Sequence, residues 1–213
     1  MVVSLDDRKY FGTGLDSAVY LLKNENHIMK IYSKLMSKLG PDSSLNECLD
    51  IIQLYASDTL KAQKIVESRW SKAPEHIRKT NFNGNIYDIK ATILPQGEAQ
   101  IRKEYSPFTS HIDTLVPEDY VVSVGQKYIS APNLLNHFEN VYARFSYEFL
   151  NERDTTLCSA VDYLNQLITE TVEVPFRIVP ENVKIIIDEP AKKIDLIVTD
   201  LARSIINDYA ILV

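Results

Sequence analysis

Cysteine is nearly absent from this chain. Only Cys48 and Cys158 occur among its 213 residues, far apart and in helix-like surroundings. That excludes a disulfide framework and a cysteine metal cluster, and a reducing compartment fits best. Histidine is also sparse, and His27, His76, His111 and His137 do not fall into metal-ligand spacings. No apolar run approaches the roughly 18 residues that a membrane-spanning helix needs. The N-terminus turns acidic at Asp6-Asp7 and lacks the basic region and apolar core of a secretory signal. Positive charge is not in excess either: the net charge is −6, which argues against a nucleic-acid binder driven by phosphate neutralisation. Internal repeats and low-complexity segments are missing. A cytoplasmic protein with no membrane span and no nucleic-acid partner is expected; for a viral protein or secreted effector, that would be the host's cytoplasm.

What is present is ordinary for a globular chain. A 45% hydrophobic share with 24% charged residues suits one domain, or one domain built as two small lobes. Short strands are expected at Ala18–Leu22 and His27–Tyr32, after a tight turn at Gly12-Thr13-Gly14. Ser44 followed by Glu47 has the capping-box spacing, and Leu45, Leu49, Ile52, Tyr55, Leu60 and Ile65 recur at helical intervals. This segment reads as one long helix to about Trp70, or two joined near Ser57-Asp58. A turn at 81–85, a strand at 86–94 and another at 119–129 follow. Helices are expected at 132–149 and 154–171, the second with Leu157, Val161, Leu164, Leu167 and Ile168 on one face. The remainder of 71–118 is the least readable stretch.

Four groups of residues carry chemistry. Gly12 and Gly14 on a hairpin tip let backbone N–H groups approach a phosphate that a Cβ would obstruct, although an ordinary hairpin has the same look. Lys30 stands in a strand between Met29 and Ile31. A lysine so flanked either faces water on an edge strand or meets an anion. The stretch Val124 to Leu135 reads as strand, small-residue turn and helix. The most specific signal is at the end: Pro180-Glu181-Asn182 precedes two alternating apolar runs joined at Asp188-Glu189-Pro190, and Asp200-Leu201-Ala202 follows. An amide and a carboxylate at the ends of a β-ribbon supply the hard oxygen ligands that Mg²⁺ takes from a protein. Read blandly, they are a turn and a helix N-cap.

In this order the motifs resemble the protein-kinase-like fold, including the minimal or atypical kinases and pseudokinases found in viruses and bacterial pathogens. The resemblance implies a two-lobed α+β fold with a reduced C-terminal lobe, binding ATP–Mg between the lobes. Residues 1–126 would be a β-rich lobe with one long helix, and 127–213 a helical lobe with the metal-binding hairpin. Gly12, Gly14 and Lys30 would face the phosphates. Glu47 would pair with Lys30, with Asp50 and Glu67 as rivals on the same helix; otherwise Glu47 only caps it. The backbone of Lys127, Tyr128 and Ile129 would hold adenine, with Gln126 at the back of the pocket. Asn182 and Asp200 would bind the metal.

The pattern breaks in three places. Arg177 stands where the family has its catalytic aspartate, and Pro175 where a histidine precedes it. A guanidinium cannot act as the base, although it can hold phosphate charge or a partner's acidic group. Leu201-Ala202 replaces Phe-Gly, and only thirteen residues follow Asp200, too few for the activation segment and substrate-docking helices. A minimal kinase-like protein or a piece of a longer chain would both fit. Three activities therefore remain open: phosphotransfer to a protein substrate, a pseudokinase that engages a regulatory partner, and an interaction protein that binds no nucleotide.

Overall fold

A computed structural model describes residues 8–13, 16–22, 26–32, 44–103, 120–142, 152–170 and 178–201. The architecture is α+β, with two sheets and four α-helices among these residues. They fall into two compact units: residues up to Asp58 with Pro95–Ile129, and Thr59–Leu94 with Ser130 onward. The division differs from the expected one at 126/127 in two respects: 59–94 belongs to the second unit, and the first extends to Ile129. The cause of the former is a strand pairing that the sequence did not reveal, described below.

The first unit is built on an antiparallel sheet. Strands β1 (Arg8–Thr13), β2 (Ala18–Leu22) and β3 (His27–Ile31) form successive hairpins. β3 then pairs with β7 (Tyr120–Lys127), and β7 with β6 (Gln100–Lys103), giving the order β1-β2-β3-β7-β6. Alternation puts Ala18, Tyr20, Met29, Ile31 and Val121 on one face as a buried cluster, with Leu22 packed against it. Gly97, in the stretch before β6, donates its N–H to the Gly125 carbonyl at 2.8 Å. A Cβ at Gly97 would stand 2.8 Å from that same oxygen, so only glycine permits this approach.

Helix α1 (Leu45–Arg69) runs unbroken through Ser57-Asp58. No proline or glycine interrupts it, and Cys48, Ile52, Tyr55, Ala62 and Val66 continue one buried stripe across that point. Its start is the predicted capping box. The Ser44 N–H donates to Glu47 Oε2 at 2.7 Å, and the Glu47 N–H to Ser44 Oγ at 3.2 Å. Burial in α1 pushes the Cys48 thiol up to about 12, so it stays protonated and inert.

The second unit holds the sheet β4-β5-β9-β8. After a short helix α2 (Glu75–Arg78), strands β4 (Lys79–Phe82) and β5 (Asn85–Ile93) form a tight hairpin. Its two turn residues, Asn83 and Gly84, have φ of 50° and 72°, the conformation that Asn-Gly favours. β5 pairs in parallel with β9 (Lys193–Val198), from Asp88↔Lys193 to Ile93↔Val198, and β9 in antiparallel fashion with β8 (Val183–Asp188). This pairing buries Tyr87, Ile89, Ala91 and Ile93 beside Ile194, Leu196 and Val198. It is what places residues 59–94 in the second unit.

Helices α3 (Leu134–Tyr142) and α4 (Glu152–Thr169) pack in this unit. Asp154 on α4 has a side chain with no exposure and meets both His137 Nε2 of α3 and Arg153 Nε at 3.3 Å. Burial pushes its carboxyl up, but the hydrogen bond to His137 and the charge of Arg153 outweigh it, leaving the carboxyl below its ordinary range. Arg153 also lies 4.2 Å from the centroid of the Phe82 ring.

Candidate functional site

The phosphate-facing residues anticipated in the first unit come together in one cross-strand row. Gly12 of β1 pairs with Val19 of β2, Val19 with Lys30 of β3, and Lys30 with Val124 of β7. Paired residues share a face of the sheet, so the glycine, the valine and the lysine lie side by side. The register slips between Tyr10 and Gly12, and the space beside Gly12 is open, with no atom within 4 Å of the position of a Cβ. A ligand can therefore approach the backbone there. Gly14 lies outside the described residues. Lys30 is 5% exposed. Such burial of an ammonium is unusual for an edge or surface lysine and demands compensating negative charge.

Glu47 is exposed and engaged with Ser44 as the helix cap, the second of the two roles expected for it. The helix begins at Leu45, which leaves Glu47 in its first turn, where the orphan N–H groups are. Asp50 and Glu67 are exposed as well, and Glu67 accepts from Gln63 at 2.9 Å. The buried carboxylate of α1 is Asp58, 3% exposed. Sequence reasoning passed over it as a helix breakpoint; the signal available was an aspartate falling between the apolar positions Tyr55 and Ala62.

The stretch from Val124 to Leu135 is strand, turn and helix, as its sequence reads. Gln126 is buried at 3% and Lys127 is exposed. The Tyr128 N–H donates to the Asn26 carbonyl at 2.7 Å, so that donor is already engaged within the fold. Tyr128 also meets Phe11 edge-to-face, with ring centroids 5.5 Å apart. Ile129 is half-buried.

In the second unit Pro180-Glu181-Asn182 forms a single 3-10 turn, and the β8–β9 ribbon returns the chain to it. The Asn182 carbonyl accepts both the Thr199 N–H at 2.8 Å and Thr199 Oγ1 at 3.0 Å. This clasp fixes the residue before Asp200 against Asn182, so the amide and the carboxylate are held at neighbouring backbone positions. Asp200 is half-buried and Leu201 fully buried. A second clasp lies upstream. Asn165 of α4 donates to the Ile178 carbonyl at 3.1 Å and accepts the Ile178 N–H at 2.6 Å, anchoring the backbone just before the turn. Arg177 lies outside the described residues, as do Pro175 and Ala202.

A search against protein-family models and curated protein sequences returned no match.

Among the described residues no three histidine, cysteine, aspartate or glutamate side chains gather as a metal cage. The side chains of Asn182 and Asp200 bring an amide oxygen and a carboxylate to this turn, which also carries the exposed Glu181. That donor set fits Mg²⁺, which takes few protein oxygens and completes its shell from water and phosphate. Lys184, two residues beyond Asn182, is half-buried, and burial alone pulls its ammonium below the ordinary lysine range. No helix among the described residues is long and apolar enough to cross a membrane.

Proposed function

We propose that this chain is a kinase-like protein that binds ATP with Mg²⁺. The first unit carries the phosphate-facing residues: the Gly12 backbone and Lys30, with Gly14 by resemblance. The second carries the metal-facing pair, Asn182 and Asp200. The observation that carries the reading is Lys30, buried at 5% in the row Gly12–Val19–Lys30–Val124. An ammonium in that row, beside the open backbone of Gly12, can meet a phosphate in a charge-assisted way. Adenine would take main-chain contacts from the connector through Lys127 and Ile129 and the Tyr128 carbonyl, with the Tyr128 N–H kept by Asn26. The helix carboxylate that orients Lys30 would be the buried Asp58 rather than Glu47. Bound Mg²⁺ would supply charge neutralisation between the nucleotide phosphates.

Whether phosphate is transferred to a protein substrate turns on Arg177. A base contributes about 10²–10⁴-fold to such a step, so this reading gives a slow phosphotransferase. A second reading, a pseudokinase that engages a regulatory partner, is favoured by the same arginine. Two measurements together test both. A thermal shift with ATP, with and without Mg²⁺, reports binding: a ligand at about a hundred times its Kd stabilises by ~2.7 kcal/mol. Incubation with labelled ATP reports transfer, and Arg177→Asp should raise it if the rest of the site is competent. Stabilisation without transfer by either protein supports the pseudokinase, and the absence of any shift refutes both.

A further inference from the structure

Lys184 is the second residue of β8, two positions after Asn182, and its neighbours are defined. Across the ribbon it pairs with Ile197 of β9, and Ile197 pairs with Thr92 of β5, so the row it joins offers no carboxylate. β8 lies at the edge of its sheet, but that edge is covered at this point. Lys184 is bridged to Asn133, and the Ile185 N–H donates to the Pro132 carbonyl at 3.0 Å. The side chain is half-buried and makes no ion pair among the described residues. The other half-buried lysines of this unit both have a partner: Lys79 pairs with Glu75 at 2.7 Å, and Lys192 lies over the Tyr87 ring.

A partly desolvated ammonium without a counter-charge is unfavourable and is tolerated where an anion completes it. Two residues of extended chain separate Cα atoms by at most about 7 Å, so Lys184 lies within a lysine's reach of whatever Asn182 holds. We propose that Lys184 is a phosphate-contacting residue on the side of Asn182 and Asp200. This inference rests on the nucleotide reading. It adds a cation on the metal-binding side of the phosphates, where Mg²⁺ held by one amide and one carboxylate leaves negative charge uncompensated. No proton moves and no bond breaks; the role is electrostatic positioning.

The test is the affinity of ATP–Mg for the parent, Lys184→Met and Lys184→Gln, titrated at low and at high salt. Thermal denaturation of each variant reports folding. Both substitutions should fold at least as well as the parent, since each removes a half-buried charge. Each should weaken ATP–Mg binding by about tenfold or more at low salt, the scale of one hydrogen bond to a charged group. The gap should narrow at high salt, because a charge contact is screened and a packing contact is not. Affinity within about twofold of the parent, or an equal loss at both salt concentrations, would overturn the role of Lys184 and leave the nucleotide reading standing. A parent that binds no ATP would overturn the nucleotide reading, and this inference with it.

Discussion

Asn165 offers a way to perturb the metal-facing turn without touching it. Its side-chain amide makes two bonds to Ile178, one to the carbonyl at 3.1 Å and one from the N–H at 2.6 Å. Ile178 is 2% exposed, so neither of its backbone groups can turn to bulk water when the amide is removed. Asn165→Ala should leave a donor and an acceptor wanting partners, at about 1–3 kcal/mol for each buried group left unsatisfied. Asn165 is itself only half-buried, and water entering the vacated space would recover part of this. The net loss should be about 2–4 kcal/mol. Asn165→Asp keeps an acceptor for the Ile178 N–H but turns a second oxygen toward the carbonyl, so its loss should be of the same order or smaller. Urea denaturation followed by fluorescence and circular dichroism measures both. Because the clasp anchors the backbone just before Pro180-Glu181-Asn182, Asn165→Ala should also weaken Mg²⁺-dependent ATP binding. A variant within about 0.5 kcal/mol of the parent would refute the reasoning, since the two bonds would then contribute nothing that solvent does not replace.

Other outcomes follow from the same structure. Gly97→Ala places a Cβ 2.8 Å from the Gly125 oxygen and should destabilise by about 1–3 kcal/mol, as overpacking does, with unchanged stability contradicting it. Asp154 is held below its ordinary range, so its folded pKa lies under the unfolded value. Its contribution is present above the unfolded pKa of about 4 and is lost as pH falls through the folded one. Melting temperature measured downward from pH 5 should therefore fall more steeply in the parent than in Asp154→Asn, and parallel curves would refute this. Asp200→Asn should flatten the Mg²⁺ dependence of ATP binding, because the metal loses its anionic ligand; identical Mg²⁺ titrations would reduce Asp200 to a capping residue.

The legible parts of the fold were those written as local period. The alternation at Ala18–Leu22, His27–Ile31 and across β8 and β9 predicted four strands that the structure contains. The i, i+3/i+4 spacing from Leu157 to Ile168 predicted α4, and Ser44 with Glu47 predicted the start of α1. What the sequence concealed was partnership across distance. Nothing in the period of Asn85–Ile93 announces a parallel partner at Lys193–Val198, because a strand's apolar alternation marks its buried face and not its neighbour. This is why the sequence groups 59–94 with the first half of the chain while their contacts lie with the second. The site was legible in the same uneven way. Lys30 stood out as a lysine among apolar residues, and Asn182 and Asp200 as the ends of a ribbon. Asp58 was hidden because a buried aspartate within a helix looks like a breakpoint, and Asn165 because an asparagine that clasps a distant backbone has no local signature. Glu47 had two readings at one spacing, and the backbone bonds of the first turn decided between them.

The central claim of the proposed function is that the chain binds ATP in a manner that depends on Mg²⁺ and on Lys30. Its most direct test is calorimetric titration of the intact chain with ATP, with Mg²⁺ and with chelator, beside Lys30→Met. The account predicts a saturable single-site isotherm that tightens with Mg²⁺. It predicts a weakening of ~1.5–3 kcal/mol in Lys30→Met, the worth of a hydrogen bond to a charged group. No binding at millimolar ATP, or binding indifferent to both Mg²⁺ and Lys30, would contradict it.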